Sequence, residues 1–154
     1  MIVRRAGNAD ADLLAALNSE VQELHVHAAP ELFRVVEPSE VATWFQAQLA
    51  DGATAWIAED AGTAVGYALA ITRQRPEGVF GKARHFVEID QVGVLLSARR
   101  RGVCRALIDR IRESARTEGI GQLVLKSWVF NSAAHHAFRA LGFAPESIQF
   151  VAEI

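Results

Sequence analysis

The sequence predicts a mixed α/β domain whose sheet is antiparallel in the middle and parallel toward the C-terminal half, with helices on both faces. Three observations lead there. Apolar strands at residues 55–59 and 64–72 are separated by Asp60-Ala61-Gly62, a hairpin signal. The later strands, residues 85–94 and 122–130, are separated by a helical pattern, and strand–helix–strand order makes parallel neighbours. Amphipathic helices both precede and follow the hairpin, so there is apolar surface to cover both faces.

The elements follow in order. Residues 2–5 are a short β-prone start. Asn8 or Asp10 can cap a helix on which Leu14, Leu17, Val21 and Leu24 share one face, and Pro30 stops that pattern. Pro38 and Ser39 open a second helix with Val41, Trp44, Phe45 and Leu49 inward, and Asp51-Gly52 ends it. After the hairpin, Pro76, Gly78 and Gly81 mark residues 74–82 as a loop. Cys104, Leu107, Ile108, Ile111 and Ala115 repeat as the face of a helix from Gly102 to about Glu118, ended by Gly119 and Gly121. Ala134, Ala137, Phe138 and Leu141 mark a short last helix ended by Gly142, and residues 148–153 read as a final strand. Phe33, Trp44, Phe45, Phe86 and Trp128 are expected in the core. A length of 154 residues without repeats or low-complexity segments is that of one domain, residues 1–154.

Composition narrows the class of function. The chain is 51% hydrophobic and 22% charged, with a net charge of −2, which argues against general nucleic-acid or membrane-surface binding. One cysteine excludes an internal disulfide and a cysteine-rich metal site. His25 and His27 are two apart, and His135 and His136 are adjacent, so neither pair shares a helical face and no metal is expected. No stretch is long enough to cross a bilayer, and the start, Met1 to Ala6, carries no long apolar run, so the expected location is the cytoplasm.

The most informative segment is Arg99-Arg100-Arg101-Gly102-Val103-Cys104-Arg105, between an apolar strand and a long helix. The first turn of a helix has unpaired N–H groups, and its dipole favours negative charge. A strand–loop–helix turn is therefore a natural pyrophosphate cradle. Gly102 lets an anion approach its backbone, and the four arginines surround it with positive charge. Together they point to a phosphate-bearing cofactor.

These residues resemble the GNAT superfamily of N-acetyltransferases. The acetyl-CoA signature of that family, Arg/Gln-x-x-Gly-x-Gly/Ala after a Val-rich strand, matches Arg99-Arg100-Arg101-Gly102-Val103-Cys104 after Val92-Gly93-Val94. A second signature, Asn-x-x-Ala-x-x-x-Tyr-x-x-x-Gly-Phe, matches Asn131, Ala134, Phe138, Gly142 and Phe143. The Ile2-Val3-Arg4 opening and the start of the strand at Ala64-Val65-Gly66-Tyr67 also look typical, and the resemblance covers the whole chain. It implies a central mixed sheet of six to seven strands flanked by about four helices. It also implies acetyl-CoA as co-substrate and an amine acceptor. It allows a homodimer without specifying one.

The resemblance assigns roles residue by residue. Pantetheine would lie as a pseudo-strand against the backbone of Val92 and Val94, with Gly93 permitting close approach. The Val94 amide would polarise the thioester carbonyl. Residues 99–105 would hold the pyrophosphate, and Asn131, Ala134 and Phe138 would border the cofactor. Glu88 and then Asp90, two apart on one strand face, are the general-base candidates. Two positions depart from the family pattern. Cys104 replaces a Gly or Ala, and its place at a helix start suggests a lowered thiol pKa. Phe138 replaces the Tyr that in relatives protonates the departing thiolate. The expected activity is acetyl transfer to a primary amine. The alternative is an acyl-CoA-binding module without useful catalysis, for which Phe138 is the main support. The acceptor itself is not legible, because its pocket is built by the early helices and residues 74–82, which vary freely on this architecture.

Overall fold

The computed structural model describes all 154 residues. Strand β1 (Ile2–Arg5) leads through a 3₁₀ turn (Asn8–Asp10) to helices α1 (Ala11–Ala28) and α2 (Pro38–Ala50). Strands β2 (Thr54–Asp60), β3 (Thr63–Arg75) and β4 (Arg84–Val94) follow, then a second 3₁₀ turn (Leu96–Ala98) and helix α3 (Val103–Thr117). Strand β5 (Leu123–Leu125) and helix α4 (Ser132–Ala140) complete the secondary structure. The sheet has five strands in the order β1-β2-β3-β4-β5. Its first three pairings are antiparallel and β4–β5 is parallel, as hairpins followed by helical crossovers require.

Local chemistry explains the joints. The β2–β3 turn has Ala61 at φ 50° and Gly62 at φ 80°, the paired positive values that a two-residue hairpin needs to match strand twist. Arg4 holds the entry to α1. Its guanidinium donates to Asp10 at 2.8 Å and to Glu59 at 2.7 Å, and the Asp10 carboxylate also accepts from Gly7 N–H at 2.8 Å. The Arg4 contact, with the Gly7 bond second, holds the Asp10 carboxyl below its ordinary range. At α2, Pro38 occupies the first turn and Glu40 accepts from the Glu37 N–H at 3.2 Å.

Two apolar layers sandwich the sheet. Leu14, Leu17, Phe45, Ile57, Tyr67 and Leu69 pack under α1 and α2. Val87, Ile89, Leu107, Ile108 and Ile111 pack under α3. Tyr67 is fully buried. Its hydroxyl accepts from Asn18 Nδ2 at 2.7 Å and donates to Gln91 Oε1 at 2.9 Å, tying α1 to β4. Removing that hydroxyl takes one partner from each of these side chains, which keep the direct bond from Asn18 Nδ2 to Gln91 Oε1 at 3.2 Å. Tyr67→Phe is expected to cost about 1–2 kcal/mol, read as a lower urea midpoint at unchanged slope.

Several expectations are corrected. The sheet has five strands because residues 122–130 supply only Leu123–Leu125 and residues 148–153 form no strand. Pairing of β5 stops at Ile89–Leu125, where β4 becomes irregular, so Lys126 to Phe130 leave the sheet. The last residues find no strand neighbour in their own chain. Trp44 is 37% exposed, because the inward stripe of α2 runs through Ala42 and Phe45. Trp128 is 47% exposed, since it lies past the end of β5. No helix is long and apolar enough to cross a membrane.

Candidate active site

The sheet opens at β4. Leu69 faces Gln91 and Ala70 faces Ile89, so Asp90 is one extra residue, a β-bulge. The bulge sits at Asp90, three residues before Gly93. The slip is visible in the packing. Val87 and Ile89 before it, and Val92 and Val94 after it, all belong to the α3 layer. Strand β5 pairs only with Val87, Glu88 and Ile89, so from Asp90 onward β4 has no neighbour on that side.

The backbone groups that line this opening follow from one hydrogen bond. Leu95 N–H donates to Val65 O at 3.0 Å. In an antiparallel ladder, bonded and non-bonded pairs alternate. Gly66–Val94 and Ala68–Val92 are then non-bonded pairs, with Tyr67–Gly93 bonded between them. The N–H and C=O groups of Val92 and Val94 therefore point away from β3, into the opening. Gly93 is explained differently from the sequence expectation. A Cβ there would stand 2.5 Å from Tyr67 Cε1 and 2.8 Å from Val21 Cγ2, so the close approach is made by the protein's own core.

Beyond β4 the chain makes a turn whose backbone N–H groups stand unpaired at the start of a helix. Glu20 of α1 accepts from Leu96 N–H at 2.7 Å and fixes where the turn begins. Arg100 (φ 64°) and Gly102 (φ 82°) adopt left-handed conformations, and α3 starts at Val103. The first helical bond is Ala106 N–H to Gly102 O at 3.0 Å, and the backbone N–H groups of residues 100–105 donate to no protein acceptor. The arginines are less available than the sequence implies. Arg101 pairs with Asp60 at the β2–β3 turn, Arg99 Nε donates to Val94 O at 3.3 Å, and Arg105 reaches Ala140 O at 3.5 Å. Arg100 is the exposed arginine of the run with no side-chain partner. Cys104 is half-buried against the α3 layer. Burial pushes its thiol up, with Arg105 opposing, which overturns the lowered pKa expected from its place at a helix start.

The two carboxylates of β4 lie in different environments. Glu88 is committed: it accepts from Arg73 Nε at 2.7 Å and stands 3.9 Å from Lys126 Nζ, with its side chain 17% exposed. Asp90, on the bulge, is open to solvent and makes no hydrogen bond or ion pair with a side chain. Partial desolvation and then the nearby Glu88 charge raise its carboxyl, against the pull of Arg73 and Lys126. Tyr67, the chain's one tyrosine, is sealed in the core, and burial drives its phenol well above the ordinary range. Phe138 is half-buried and edge-packed on Phe143 with centroids 6.0 Å apart. Asn131 caps α4, its Oδ1 accepting from Ala134 N–H at 3.2 Å, as expected of a residue before a helix.

The end of α1 shows features that sequence reading did not assemble. Phe33 packs edge-on against Trp128 (5.1 Å) and Phe130 (6.4 Å), which lie parallel to each other, and His25 adjoins Phe33 at 4.8 Å. This wall joins the end of α1 to the chain leaving β5. A groove of about 300 Å³ runs between α1 and the start of α2 past Asn18, Glu23, His27 and Val35. Two of the five histidines are engaged locally: the Nδ1 atoms of His25 and His136 contact Val21 O at 2.6 Å and Ser132 O at 2.7 Å. The Asp90 bulge did leave a signal in the sequence, because the apolar alternation Val87, Ile89 slips by one to Val92, Val94. The Asp60–Arg101 and Glu20–Leu96 links left none.

The model of the Acetyltransferase (GNAT) family matches residues 19–143. The chain belongs to the GNAT acetyltransferase family. The tetramutant of BH1408 protein from Bacillus halodurans superposes with a TM-score of 0.94 at 24% identity, covering 100% of both chains. Aminoglycoside N-acetyltransferase AAC(6')-Iy in complex with CoA gives a TM-score of 0.77 at 21% identity, covering 99% of this chain and 93% of that one. Aminoglycoside antibiotic 6'-N-acetyltransferase AAC(6')-IG from Acinetobacter haemolyticus gives 0.75 at 18% identity, covering 100% and 99%. No curated protein sequence matches this GNAT chain at a significant level.

Proposed function

We propose that this GNAT protein transfers the acetyl group of acetyl-CoA to a primary amine by direct attack. The carrying observation is the continuity of two hydrogen-bonding surfaces that no strand covers, engaged only where Arg99 Nε donates to Val94 O. The backbone of Val92 and Val94 along the β4–β5 opening runs into the N–H row of residues 100–105. A ligand with an amide-bearing arm and a terminal pyrophosphate fits both surfaces. The arm pairs as a strand would, and the phosphates meet N–H donors at the positive end of α3. Bound acetyl-CoA supplies the activated acetyl group.

The chain's own residues provide the rest. Arg100 and the amides of Arg101, Gly102, Val103, Cys104 and Arg105 bind the phosphates, with Arg99 alongside. Gly93 lets β4 sit against Tyr67, and Val94 N–H donates to the carbonyl oxygen as it gains charge. Asp90 takes the proton of the attacking amine. Glu88, held by Arg73, orients the acceptor and keeps negative charge beside Asp90. Asn131, Ala134 and Phe138 border the cofactor from α4. The N–C bond forms as the C–S bond breaks, and the thiolate takes its proton from solvent, because Phe138 has none to give and Tyr67 is buried. Holding amine and thioester together contributes the larger share, of order 7–11 kcal/mol in favourable systems. A missing general acid costs ~10²–10⁴-fold. The aromatic wall and the groove beside α1 form the acceptor side, and no metal takes part.

Free-thiol release from acetyl-CoA against a panel of amines tests this reading, with wild type beside Phe138→Tyr. Amine-dependent release by wild type is the expected result, with a higher kcat in Phe138→Tyr because a phenol there can protonate the thiolate. Acetyl-CoA binding without release on any amine, in either protein, overturns the transfer reading.

A further inference from the structure

Three aromatic side chains form a patch that the core does not take in. Trp128 and Phe130 are 47% and 37% exposed, their rings lie parallel, and Phe33 stands nearly perpendicular to both. Contiguous apolar surface left open to water marks binding sites, as scattered apolar residues do not. The rings are held in place. Asn131 N–H donates to Trp128 O and Ser132 N–H to Phe130 O, each at 3.0 Å, which closes the turn that presents both rings. Phe33 N–H donates to Ala29 O at 3.1 Å, and Gln22 Nε2 donates to Arg34 O at 2.8 Å, so the chain is tied on either side of Phe33. A surface already ordered loses little freedom when a ligand settles on it.

The patch lies beside the β4 opening. Val21 of α1 rests against Gly93, between Val92 and Val94. His25, one turn or ~5.4 Å further along the same helix, adjoins Phe33 at 4.8 Å and Phe130 at 5.6 Å. From the other direction, the chain leaving β5 places Lys126 3.9 Å from Glu88, two residues before Trp128. Val87 and Ile89 face α3, so Glu88 between them faces α1. The Asp90 charge is felt at the Tyr67 hydroxyl on that same side. Carboxylates and rings therefore share one face of the sheet.

The charges there suit a single ammonium group. Arg73 and Lys126 both attend Glu88, which leaves Asp90 as the β4 carboxylate without a partner. On α1, Glu20 is engaged by Leu96 N–H. Glu23 stands two residues from His25, on the other side of the helix from the patch. One ammonium finds Asp90. A second meets the like charges of Arg73 and Lys126, which act at the same place.

We propose, resting on the transfer reading above, that the acceptor is a primary monoamine carrying a flat aromatic body on a short chain. Its amine reaches Asp90, and its ring lies on Phe33, Trp128 and Phe130. The centroids of Trp128 and Phe130 are 6.2 Å apart, too close for a third ring between them, so the body takes their exposed faces and edges. Polyamines and aminoglycosides are poor acceptors on the same grounds: they bring several ammonium groups and no flat apolar face.

Steady-state thiol release by the full chain with phenethylamine, butylamine and spermidine tests this. Phenethylamine is expected to exceed the other two in kcat/KM by roughly 10-fold or more, the scale on which a pocket reads a small difference in apolar body. Trp128→Ala should erase most of that preference, and Trp128→Phe, which keeps a ring, should retain most of it, with thermal melts showing both variants folded. Butylamine or spermidine used as well as phenethylamine overturns the proposal, and so does a preference that Trp128→Ala leaves intact. A binding measurement separates this proposal from the transfer reading. Phenethylamine titrated calorimetrically into the CoA-saturated protein should bind, and more weakly to Trp128→Ala. Such binding without turnover of any amine would remove transfer and leave the aromatic site standing. Turnover without the preference would remove the site and leave transfer standing. Phenethylamine that neither binds nor outpaces butylamine overturns the site in either case.

Discussion

Asp90→Asn is expected to lower kcat/KM for the amine by ~10²–10⁴-fold, the range for removal of a general base, while acetyl-CoA binding is retained. The pH profile separates catalysis from structure. Burial and the Glu88 charge hold the Asp90 carboxyl above the ordinary range, so wild-type activity falls as pH drops through that raised value, where the carboxyl gains a proton and loses its basicity. The variant has no such acidic limb. Stability moves the other way. A raised pKa means that the folded state binds this proton more tightly than the unfolded chain, so the ionised form costs stability above the raised pKa, and the cost is relieved as pH falls through it. Asp90→Asn should therefore keep or raise Tm at neutral pH while losing activity. Glu88→Gln should do the reverse in both respects. It breaks the Arg73 pair but spares the base, so the rate changes less. Unchanged kcat/KM in Asp90→Asn, measured across the same pH range, removes Asp90 from the mechanism.

Gly93→Ala is the substitution expected to disturb the fold most for the fewest added atoms. The new methyl would stand 2.5 Å from the Tyr67 ring and 2.8 Å from Val21, and neither can retreat easily. Tyr67 is held by Asn18 and Gln91 and lies edge-on to Phe45 at 5.7 Å. Overpacking of this kind costs about 1–3 kcal/mol, or a Tm lower by roughly 2–12 °C for a domain of this size. β4 must shift to relieve the contact, and Val92 and Val94 move with it. Acetyl-CoA affinity should fall together with Tm, measured by calorimetry and thermal melts on one preparation. A drop in Tm at unchanged affinity would uncouple the glycine from the cofactor arm.

Much of the fold was legible because it is locally encoded. The Asp60-Ala61-Gly62 turn, the apolar stripes of α1 and α3, and the cap at Asn131 are short-range signals, and each stands where the sequence puts it. What failed depended on distant partners. Residues 122–130 are β-prone throughout, but a strand lasts only as long as its neighbour, and β4 departs after Ile89. The tail at residues 148–153 has the pattern of a strand but pairs with none in its own chain. The arginine run was legible as charge, whereas the withdrawal of Arg101 by Asp60, far away in sequence, was not. The same applies to the carboxylates: the sequence ranks Glu88 first, and only the three-dimensional arrangement reveals that Arg73 occupies it while Asp90 stays unpaired. Cys104 shows the limit of a rule based on position, since packing against the α3 layer outweighs the helix start.

The N–H row at residues 100–105 has an evolutionary consequence. Its donors belong to the main chain, and no substitution except proline removes them. Selection on such a surface acts on the path of the backbone, through the left-handed residue at Gly102 and the anchor from Glu20, rather than on the chemistry of each side chain. A side chain on such a row can change without removing a donor, which accommodates a cysteine at position 104.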